Sequence, residues 1–558
     1  MFFTEESFEM SHKDWWRGAV FYQIYPRSFK DTTGNGIGDL PGITEKLDYV
    51  ASLGVDAIWI NPFFPSPMKD SGYDVSDYRS VDPLFGTMDD FKTLLDKAHD
   101  LGLKVIIDQV LSHTSEEHPW FKESRRTRDN PKTDWYVWEN PRRDGMPPTN
   151  WLARFGGPAW TYSIRRGQYY LHNFYANQPD LNLHNKDVQD TLLASMEMWL
   201  KIGVDGFRMD AVSFYMHDRR LRDNPFQPLP EENKIEGLHF VDPYTMQIHK
   251  YNQGAPEIFD FLKRIRHLMD QYPGTVTIGE ASGASSEETM KLAARYTEGN
   301  KFLHTAYSHT LLGGGSLKES FIRKHVEGYE NLPQDSWPSW AFSNHDVYRA
   351  VSRLNRGEGR NPRFAKLLIA LLCSLKGTPF IYQGEELGLP EADLEFEDLL
   401  DHWAIFTWPE WKGRDGARTP MPWRDELGSG FTTADKKTWL PIPDEHRALC
   451  AGNQDIDPDS PLQFTRAFLK WRKEQPPLIK GEIEFLDTQD TKLLAFVRKT
   501  EDEKILCVFN LGPEDRTLET GLETESLAFG MPENQSGFLD TDSIKLPAFG
   551  IYFGKIPV

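Results

Sequence analysis

The chain has 558 residues and is strongly acidic, with 84 Asp and Glu against 63 Lys and Arg and a formal net charge of -21. This charge disfavours nucleic acid and anionic membrane as partners. The longest apolar stretch, AKLLIALLCSL at 365–375, is too short to cross a bilayer, and the first twenty residues lack the basic and apolar regions of a signal segment. The length predicts one large domain of catalytic size with smaller ones attached.

Helical periodicity alternates with short apolar runs along most of the chain. One predicted helix carries Phe91, Leu94 and Leu95 at helical spacing, stops at Gly102 and is followed by the strand-like run KVIIDQV. The same order of helix, glycine and buried strand recurs, which is typical of βα units around a parallel sheet. Eight strands are predicted, near residues 20–25, 55–60, 104–109, 204–209, 275–279, 304–308, 339–343 and 378–382. We therefore predict an α/β fold with a closed (β/α)8 barrel, formed by residues 1–109 and 184–477.

The alternation of predicted helices and strands is interrupted in two places. Residues 110–183 are rich in Trp, Pro, Arg and Asn and are far longer than an ordinary βα loop, which predicts an inserted subdomain after the third strand. After Pro476 and Pro477 the pattern changes to short alternating runs such as LLAFVRK and KILCVFNL. This pattern predicts a C-terminal antiparallel all-β domain over residues 478–558.

Three cysteines are present, Cys373, Cys450 and Cys507, with neither a paired framework nor a metal-ligand spacing. We expect ordinary packing residues in a protein of the reducing cytoplasm. The sequence gives no organic cofactor fingerprint. Oligomeric state is left open between monomer and homodimer.

The stretch DTTGNGIGDL at 31–40 places oxygen-bearing groups at alternate positions. A nucleotide loop would need the full fingerprint between a strand and a helix, which is missing. The oxygen spacing suits a hard cation such as Ca²⁺, and a metal-free turn stabilised by Asn and Asp side chains is the alternative. The candidate ligands are the side chains of Asp31, Thr33, Asn35 and Asp39 and the carbonyl of Ile37.

Polar side chains stand where the predicted strands end. The carboxyl ends of barrel strands form the rim on which active sites are assembled, so these side chains are candidate functional residues. They are Asp108 and His113 after the third strand, Arg208 and Asp210 after the fourth, Glu280 after the fifth, and His345 and Asp346 after the seventh.

Paired carboxylates on one rim suit the cleavage of an acetal. One must stay ionised to attack the sugar carbon, and the other must be protonated to donate to the leaving oxygen. Arg208 and Asp210 share a face of their strand, so we expect the guanidinium to lower the pKa of Asp210 and burial to raise the pKa of Glu280. With Asp210 as nucleophile, the carboxyl groups would lie ~5 Å apart and the anomeric configuration would be retained.

Five segments, GFRMDAV, IGEASG, FSNHD, DQVLSHTS and QPDLN, resemble the shared regions of the α-amylase superfamily, glycoside hydrolase family 13. QPDLN and GRDGARTPMPW are similar to the oligo-1,6-glucosidase and α-glucosidase branch in particular. The resemblance implies that Asp210 is the nucleophile, Glu280 the general acid/base and Asp346 a stabiliser that binds sugar hydroxyls.

The same resemblance implies a substrate pocket for a small oligosaccharide. Asp70 and Arg418 would pair to close the site around the non-reducing glucose, which implies exo action, and Tyr73 would stack beneath that sugar. Ala211 follows the nucleophile, where a valine is associated with α-1,6 linkages and a smaller residue with α-1,4 linkages such as maltose, or with sucrose. The remaining implied contacts are His113, Phe155, Phe174, Gln178, Arg208 and His345.

Other functions stay open at this point. A transglucosylase or sucrose isomerase would use the same covalent intermediate. A catalytically inactive, glucosidase-like binding subunit is a second alternative, which the retention of all three carboxylates disfavours. A barrel enzyme with metal or phosphate chemistry ranks last, because the sequence has no HExxH ligand set and no phosphate loop.

Overall fold

The computed structural model describes residues 14–227, 242–283, 285–313, 317–330, 332, 336–355, 361–433 and 437–557. Eight parallel strands close into a barrel, which confirms the predicted (β/α)8 fold. β1 closes it by pairing with β8, with Tyr22 opposite Ile381. The strands are β1 (Phe21–Ile24), β2 (Ala57–Ile60), β3 (Lys104–Gln109), β4 (Gly206–Met209), β5 (Val276–Ala281), β6 (Thr305–Ser308), β7 (Pro338–Ala341) and β8 (Thr378–Tyr382).

The main helices follow the strands in sequence and show the end signals expected of them. A capping box formed by Thr87 and Asp90 starts the second helix, and Gly203 ends the third in the left-handed conformation with φ 116°. The helices are α1 (Leu40–Ser52), α2 (Met88–Asp100), α3 (Lys186–Ile202), α4 (Ile258–Met269), α5 (Ser286–Thr297), α6 (Glu319–Glu330), α7 (Pro362–Ser374) and α8 (Pro461–Arg472). Shorter α-helices span Ala350–Leu354, His402–Thr407, Asp444–Ala448, Ala451–Asp455 and Pro476–Lys480. None of the helices in the described ranges is both long and apolar enough to cross a membrane.

The interior of the barrel is filled by large side chains from several strands. Phe21 and Phe380 stack with ring centroids 4.7 Å apart, and Trp59 meets Phe380 and Tyr307 edge to face. These rings are buried, so the interior of the barrel is a packed core. They form a rigid floor beneath the carboxyl ends of the strands, where the candidate functional residues lie.

The segment between β3 and α3 contains a short helix, Pro119–Ser124, and a three-stranded antiparallel sheet. The sheet strands are Trp138–Glu139, Gln168–Leu171 and Trp160–Ser163. A small core of its own includes Trp151, Trp160 and Leu171. The segment returns to the barrel beside its exit point, because His113 and Asp180 form a β-bridge. This arrangement holds the segment over the rim of the barrel.

The C-terminal region forms two antiparallel sheets, which confirms the predicted all-β domain. The five-stranded sheet contains Glu482–Leu486, Leu493–Lys499, Lys504–Asn510, Ile551–Ile556 and Glu525–Ser526, and the three-stranded sheet contains Arg516–Glu519, Ser543–Leu546 and Phe538–Asp540. One face packs against α8, where Phe468 and Trp471 contact Phe553. Arg498 also donates to the carbonyl of Ser374 at the end of α7.

β4 and β5 approach each other closely at Gly206. Its φ is 153°, and a Cβ atom there would lie 2.0 Å from the carbonyl oxygen of Val276. No side chain can be accepted at that distance, because the obstacle is backbone. The glycine therefore fixes the spacing of the two strands that carry Asp210 and Glu280.

Replacing Gly206 by alanine should destabilise the fold by ~3 kcal/mol or more, since either the strand pair separates or the backbone strains. The matched control is Gly102→Ala, where φ is 76° and no atom lies within 4 Å of the added Cβ. That control should cost only about 1 kcal/mol, from the left-handed backbone alone. Urea unfolding followed by circular dichroism measures both, and equal losses would contradict the packing argument.

The turn before α1 provides hydrogen-bond donors for its own carboxylates, those of Asp31 and Asp39. Asp31 accepts hydrogen bonds from the backbone N–H groups of Thr33, Gly34 and Gly36, at 2.9, 2.7 and 2.7 Å, and from the Thr432 hydroxyl. Burial raises the pKa of Asp31, but these donors outweigh it and hold the pKa below its usual value. Asp39 caps α1 through the N–H of Gly42 and accepts from Thr32. These donors point at the oxygens that a cation would need.

The fit of this donor set to Ca²⁺ is therefore poor. The oxygen of Asn35 also accepts an N–H, from Ile37, and Thr33 directs its hydroxyl at Asp31. Across the described ranges, no group of three or more His, Cys, Asp or Glu side chains could hold a metal ion. The geometry favours the metal-free turn over the calcium site, and the calcium expectation stays a prediction.

Chelation with EDTA should consequently leave the melting temperature unchanged, and added calcium should not raise it. Asp31→Ala should lower the free energy of unfolding by ~1–3 kcal/mol in the presence or absence of calcium, because buried N–H donors lose their acceptor. Thermal unfolding in EDTA and in calcium checks this. A melting temperature that rises with calcium concentration in the unsubstituted protein would show that the metal binds the folded state.

Candidate active site

A cavity of about 380 Å³ opens at the carboxyl ends of the barrel strands. The predicted residues that line it are Asp70, Tyr73, His113, Phe155, Phe174, Asp210, Ala211, Glu280 and Asp346. The other predicted residues of the pocket are Gln178, Arg208, His345 and Arg418, each at most 1% exposed. They contact the lining residues through hydrogen bonds and ion pairs, on the side away from the cavity. The structure thus brings the sequence-predicted set together in one place.

Arg208 is the centre of the charged cluster. Its Nη1 donates to Asp108 Oδ1 at 3.0 Å and to Asp210 Oδ1 at 2.6 Å, while Nη2 donates to Glu280 Oε2 at 2.6 Å. β3 and β4 are in register at Asp108 and Arg208, so these side chains meet across adjacent strands. The guanidinium carbon lies 4.9 Å from the ring centroid of Trp59 in the barrel floor. One buried cation therefore holds three carboxyl groups.

The pKa values of Asp210 and Glu280 are shifted in directions that differ from the expectation. Burial raises the pKa of Asp210. Arg208 lowers it, but Glu280 and Asp108 oppose that effect, so the pKa of Asp210 lies well above its usual value. Burial also raises the pKa of Glu280, but the lowering effects of Arg208 and His309 are larger, so the pKa of Glu280 lies below its usual value. Arg208 does lower the pKa of Asp210, as expected, but burial and the neighbouring carboxyl groups oppose it, because one guanidinium is shared among three carboxyl groups.

The two carboxylate oxygens of Glu280 have different surroundings. Oε2 faces Arg208 and the backbone N–H of Ala211, which donates at 3.0 Å. Oε1 lies 2.8 Å from Nε2 of His309. Ala211 can present its N–H this way because its backbone is left-handed, with φ 45° and ψ 44°, where the chain turns after β4.

Asp346 lies in a second charged cluster on the opposite wall. Its Oδ1 accepts from Arg418 at 2.9 Å and from Arg414 at 3.3 Å, and its Oδ2 lies 3.2 Å from His345 Nε2. Burial raises the pKa of Asp346, but His345, Arg414 and Arg418 together lower it well below its usual value. Asp346 is therefore ionised at neutral pH.

Asp70 pairs with Arg414, at 3.0 Å, instead of the predicted Arg418. Arg418 contacts Ser71 at 3.2 Å and Asp346 instead. The predicted pairing of Asp70 with Arg418 is therefore wrong in this structure. Both arginines belong to the motif GRDGARTPMPW and are separated by the short helix Asp415–Ala417. Both reach Asp346, and Arg414 also binds Asp70.

Aromatic and imidazole rings complete the pocket. Tyr73 stacks on His345, with centroids 5.2 Å apart and planes at 6°, and donates to Asp108 at 3.1 Å. Burial lowers the pKa of His345 to about 3 and that of His113 to about 4, so both imidazoles are neutral at neutral pH. Gln178 donates to Asp70 at 2.9 Å and approaches His113 at 3.1 Å. The ring centroids of Phe155 and Phe174 lie 5.9 Å apart at the entrance of the cavity.

Several lining residues were not found from the sequence. Apart from Arg414, they stand outside the recognised motifs, in loops or in helices such as α5, which carries Thr289, and His402–Thr407, which carries Trp403. Arg154 lies over the rings of Tyr244 and Trp403 and pairs with Asp242 at 2.9 Å. His309 begins the short helix after β6. The missed lining residues include Arg154, Phe214, Tyr244, His249, Gln253, Thr289, His309, Trp403 and Arg414.

Comparison with known proteins agrees with this geometry. Residues 23–481 match the family model described as alpha amylase, catalytic domain, and residues 483–552 match the maltogenic amylase C-terminal domain. The chain is 48% identical to a probable alpha-glucosidase of Rhizobium meliloti (strain 1021) over 556 residues, covering 99% of each chain. It is 37% identical to an oligo-1,6-glucosidase of Heyndrickxia coagulans, covering 89% of this chain and 92% of the relative.

Solved structures show the same architecture. The alpha-glucosyl transfer enzyme XgtA superposes with a TM-score of 0.92 at 50% identity, covering 97% of this chain and 99% of that one. The trehalulose synthase MutB from Pseudomonas mesoacidophila MX-45 gives a TM-score of 0.85 at 33% identity over 97% of this chain and 99% of that one. On its matched domains, its barrel and these relatives, the chain is a member of the α-amylase family, glycoside hydrolase family 13, in the company of α-glucosidases and oligo-1,6-glucosidases.

Proposed function

We propose that this protein is a retaining, exo-acting α-glucosidase that releases terminal non-reducing glucose from short α-glucosides and also transfers it to acceptors. The observation that carries the proposal is the placement of Asp210 and Glu280 on the two terminal nitrogens of Arg208. Binding of both carboxyl groups to one guanidinium keeps them close together, and a short separation of ~5 Å is what a covalent glycosyl intermediate requires.

The reaction begins with Asp210 ionised and Glu280 protonated. Asp210 attacks the anomeric carbon while Glu280 gives its proton to the leaving oxygen, and the glycosidic bond breaks as an ester to Asp210 forms. Glu280 then removes a proton from water or from an acceptor hydroxyl, which attacks the ester and regenerates Asp210. Asp210 and Glu280 share Arg208, so a proton can pass between the two groups, and the reactive arrangement places it on Glu280.

Exo action is supported by the wall formed by Asp70 and Arg414. Arg414 is also held by Asp401, at 2.9 Å, so that it bridges the ends of two loops across the pocket. Carboxylate and guanidinium groups at a closed end are suited to bind the hydroxyls of a terminal sugar. A longer chain could extend only toward the open mouth, beside Phe155 and Trp403.

Linkage preference is proposed from Ala211 and from relatives. The small side chain beside Asp210 leaves room for an α-1,4-linked sugar such as maltose, or for sucrose. Transfer to acceptors is supported by the 50% identity to a protein described as an alpha-glucosyl transfer enzyme. Isomerisation is the second candidate, because a trehalulose synthase shares the fold. The three cysteines are buried and unpaired, which supports the proposed cytoplasmic location.

Asp210→Asn should keep the fold and lose activity of order 10³-fold or more, because an amide cannot form the ester intermediate. The matched control is Asp205→Asn at the opposite end of β4, where the carboxylate binds Lys104 and His99 far from the pocket. It should retain near-normal kcat. In the unsubstituted enzyme, NMR of fresh maltose hydrolysate should show α-glucose first. Initial release of β-glucose would refute the retaining mechanism.

Ala211→Val should shift preference from maltose toward isomaltose, because the larger side chain fills the space beside the leaving sugar. The left-handed backbone at this position adds a strain of roughly 1–2 kcal/mol for a β-branched residue, so the melting temperature is measured separately. The ratio of kcat/KM for the two disaccharides is the readout, and it is independent of the fraction of folded enzyme. An unchanged ratio would reject the role of Ala211 in linkage preference.

A further inference from the structure

His309 approaches the acid/base carboxyl group from the open side of the cavity. Its Nε2 lies 2.8 Å from Glu280 Oε1, and its side chain is 39% exposed where that of Glu280 is only 11% exposed. The imidazole stands at the end of β6 and meets the ring of Tyr307 edge to face, with centroids 5.9 Å apart. It therefore lines the cavity beside the oxygen that faces the substrate.

The neighbours of Glu280 decide which oxygen can carry a proton. Oε2 already receives two N–H groups, one from Arg208 and one from Ala211. A hydrogen on Oε2 would face those donors, whereas the His309 ring nitrogen is the one polar partner that the described residues place beside Oε1. The proton for the leaving oxygen must therefore be carried on Oε1.

We propose that His309 is a positioning residue for the acid/base step, sharing the transferable proton with Oε1 of Glu280 and holding that oxygen toward the leaving group. The proposal rests on the proposed function. Nε2 lies within hydrogen-bonding distance of Oε1 but is not aligned for a hydrogen bond in this structure, so the imidazole must turn to make one. With a proton on Nδ1, Nε2 would then accept from the Oε1–H group; with a proton on Nε2, it would donate to the ionised carboxylate. In both states the same oxygen is held at the same place.

The proton is conserved through the cycle. Oε1–H gives its proton to the glycosidic oxygen as the bond to the leaving sugar breaks, and the bond electrons stay on that oxygen. In the second half, Oε1 takes a proton from the attacking water or hydroxyl. His309 touches neither the anomeric carbon nor the leaving oxygen in this scheme and acts only through Glu280.

Other charged groups around this pair are fixed in different ways. Arg208, Asp210 and Asp108 act on Glu280 from β3 and β4. Asp346 lines the same cavity, but its negative charge is paired with the guanidinium groups of Arg414 and Arg418. His309 is distinct because it contacts the solvent-facing oxygen, so its loss should alter proton delivery without breaking the Arg208 cluster.

The test compares substrates that differ in their need for a proton. Maltose and methyl α-glucoside have poor leaving groups that require protonation, whereas α-glucosyl fluoride has a good one that requires little. His309→Phe should lower kcat/KM for maltose by ~10-fold or more, within the range that general acid catalysis contributes. The loss with the fluoride should be several-fold smaller. His309→Gln, which retains a hydrogen-bonding group at similar reach, should recover part of the maltose activity.

Glu280→Gln is the reference variant and should show the same selective pattern with a larger loss. Equal losses of His309→Phe on both substrates, or no loss on maltose, would overturn the role of His309. Failure of the proposed function gives a different result, because the unsubstituted enzyme would then hydrolyse neither maltose nor the fluoride. Circular dichroism of each variant identifies a change in folding.

Discussion

The active site depends on one buried guanidinium. Arg208 contacts Asp108, Asp210 and Glu280 at once, from a position that is 1% exposed. An ammonium group could neutralise charge there, but it has no planar pair of terminal nitrogens that would hold two carboxyl groups side by side. Burying such a cluster is not a gain in stability, since desolvation of the charges offsets their attraction. Its value is the fixed separation and shared proton of the two reacting carboxyl groups.

The barrel provides the rigidity that this cluster needs. Asp108 and Arg208 face each other because β3 and β4 are in register there, and Trp59 lies beneath the guanidinium. Gly206 allows β4 to approach β5 so closely that Asp210 and Glu280 reach the same arginine. Loops contribute the other wall, where Arg414 joins Asp70 and Asp401. The chemistry thus rests on strands, while the shape of the pocket is set by loops.

The sequence contained most of the fold and the centre of the site, for identifiable reasons. Each barrel strand is a short apolar run after a helix and a glycine, so the pattern is strong, and the carboxylates stand immediately after those runs. The partner of Asp70 could not be predicted, because Arg414 and Arg418 are four positions apart in one motif and only the turn between them decides where each guanidinium points. His309 carries no sequence signal: its meaning comes from β6 lying beside β5.

The pKa of Asp210 was mispredicted for a related reason. Arg208 and Asp210 are two positions apart in the sequence and suggest a simple pair, whereas the fold adds Asp108 and Glu280 to the same cation. A count of the charged groups in the whole pocket shows a further consequence of this cluster. Seven carboxyl groups, those of Asp70, Asp108, Asp210, Asp242, Glu280, Asp346 and Asp401, are bound by four guanidinium groups, those of Arg154, Arg208, Arg414 and Arg418. Even with one proton on the reacting pair, the pocket is negative. A glucosyl group that develops positive charge as its bond to the leaving oxygen breaks is stabilised by that excess, and a neutral substrate gains much less from it. The surplus of carboxylates, which costs the folded protein stability, is therefore directed at the transition state.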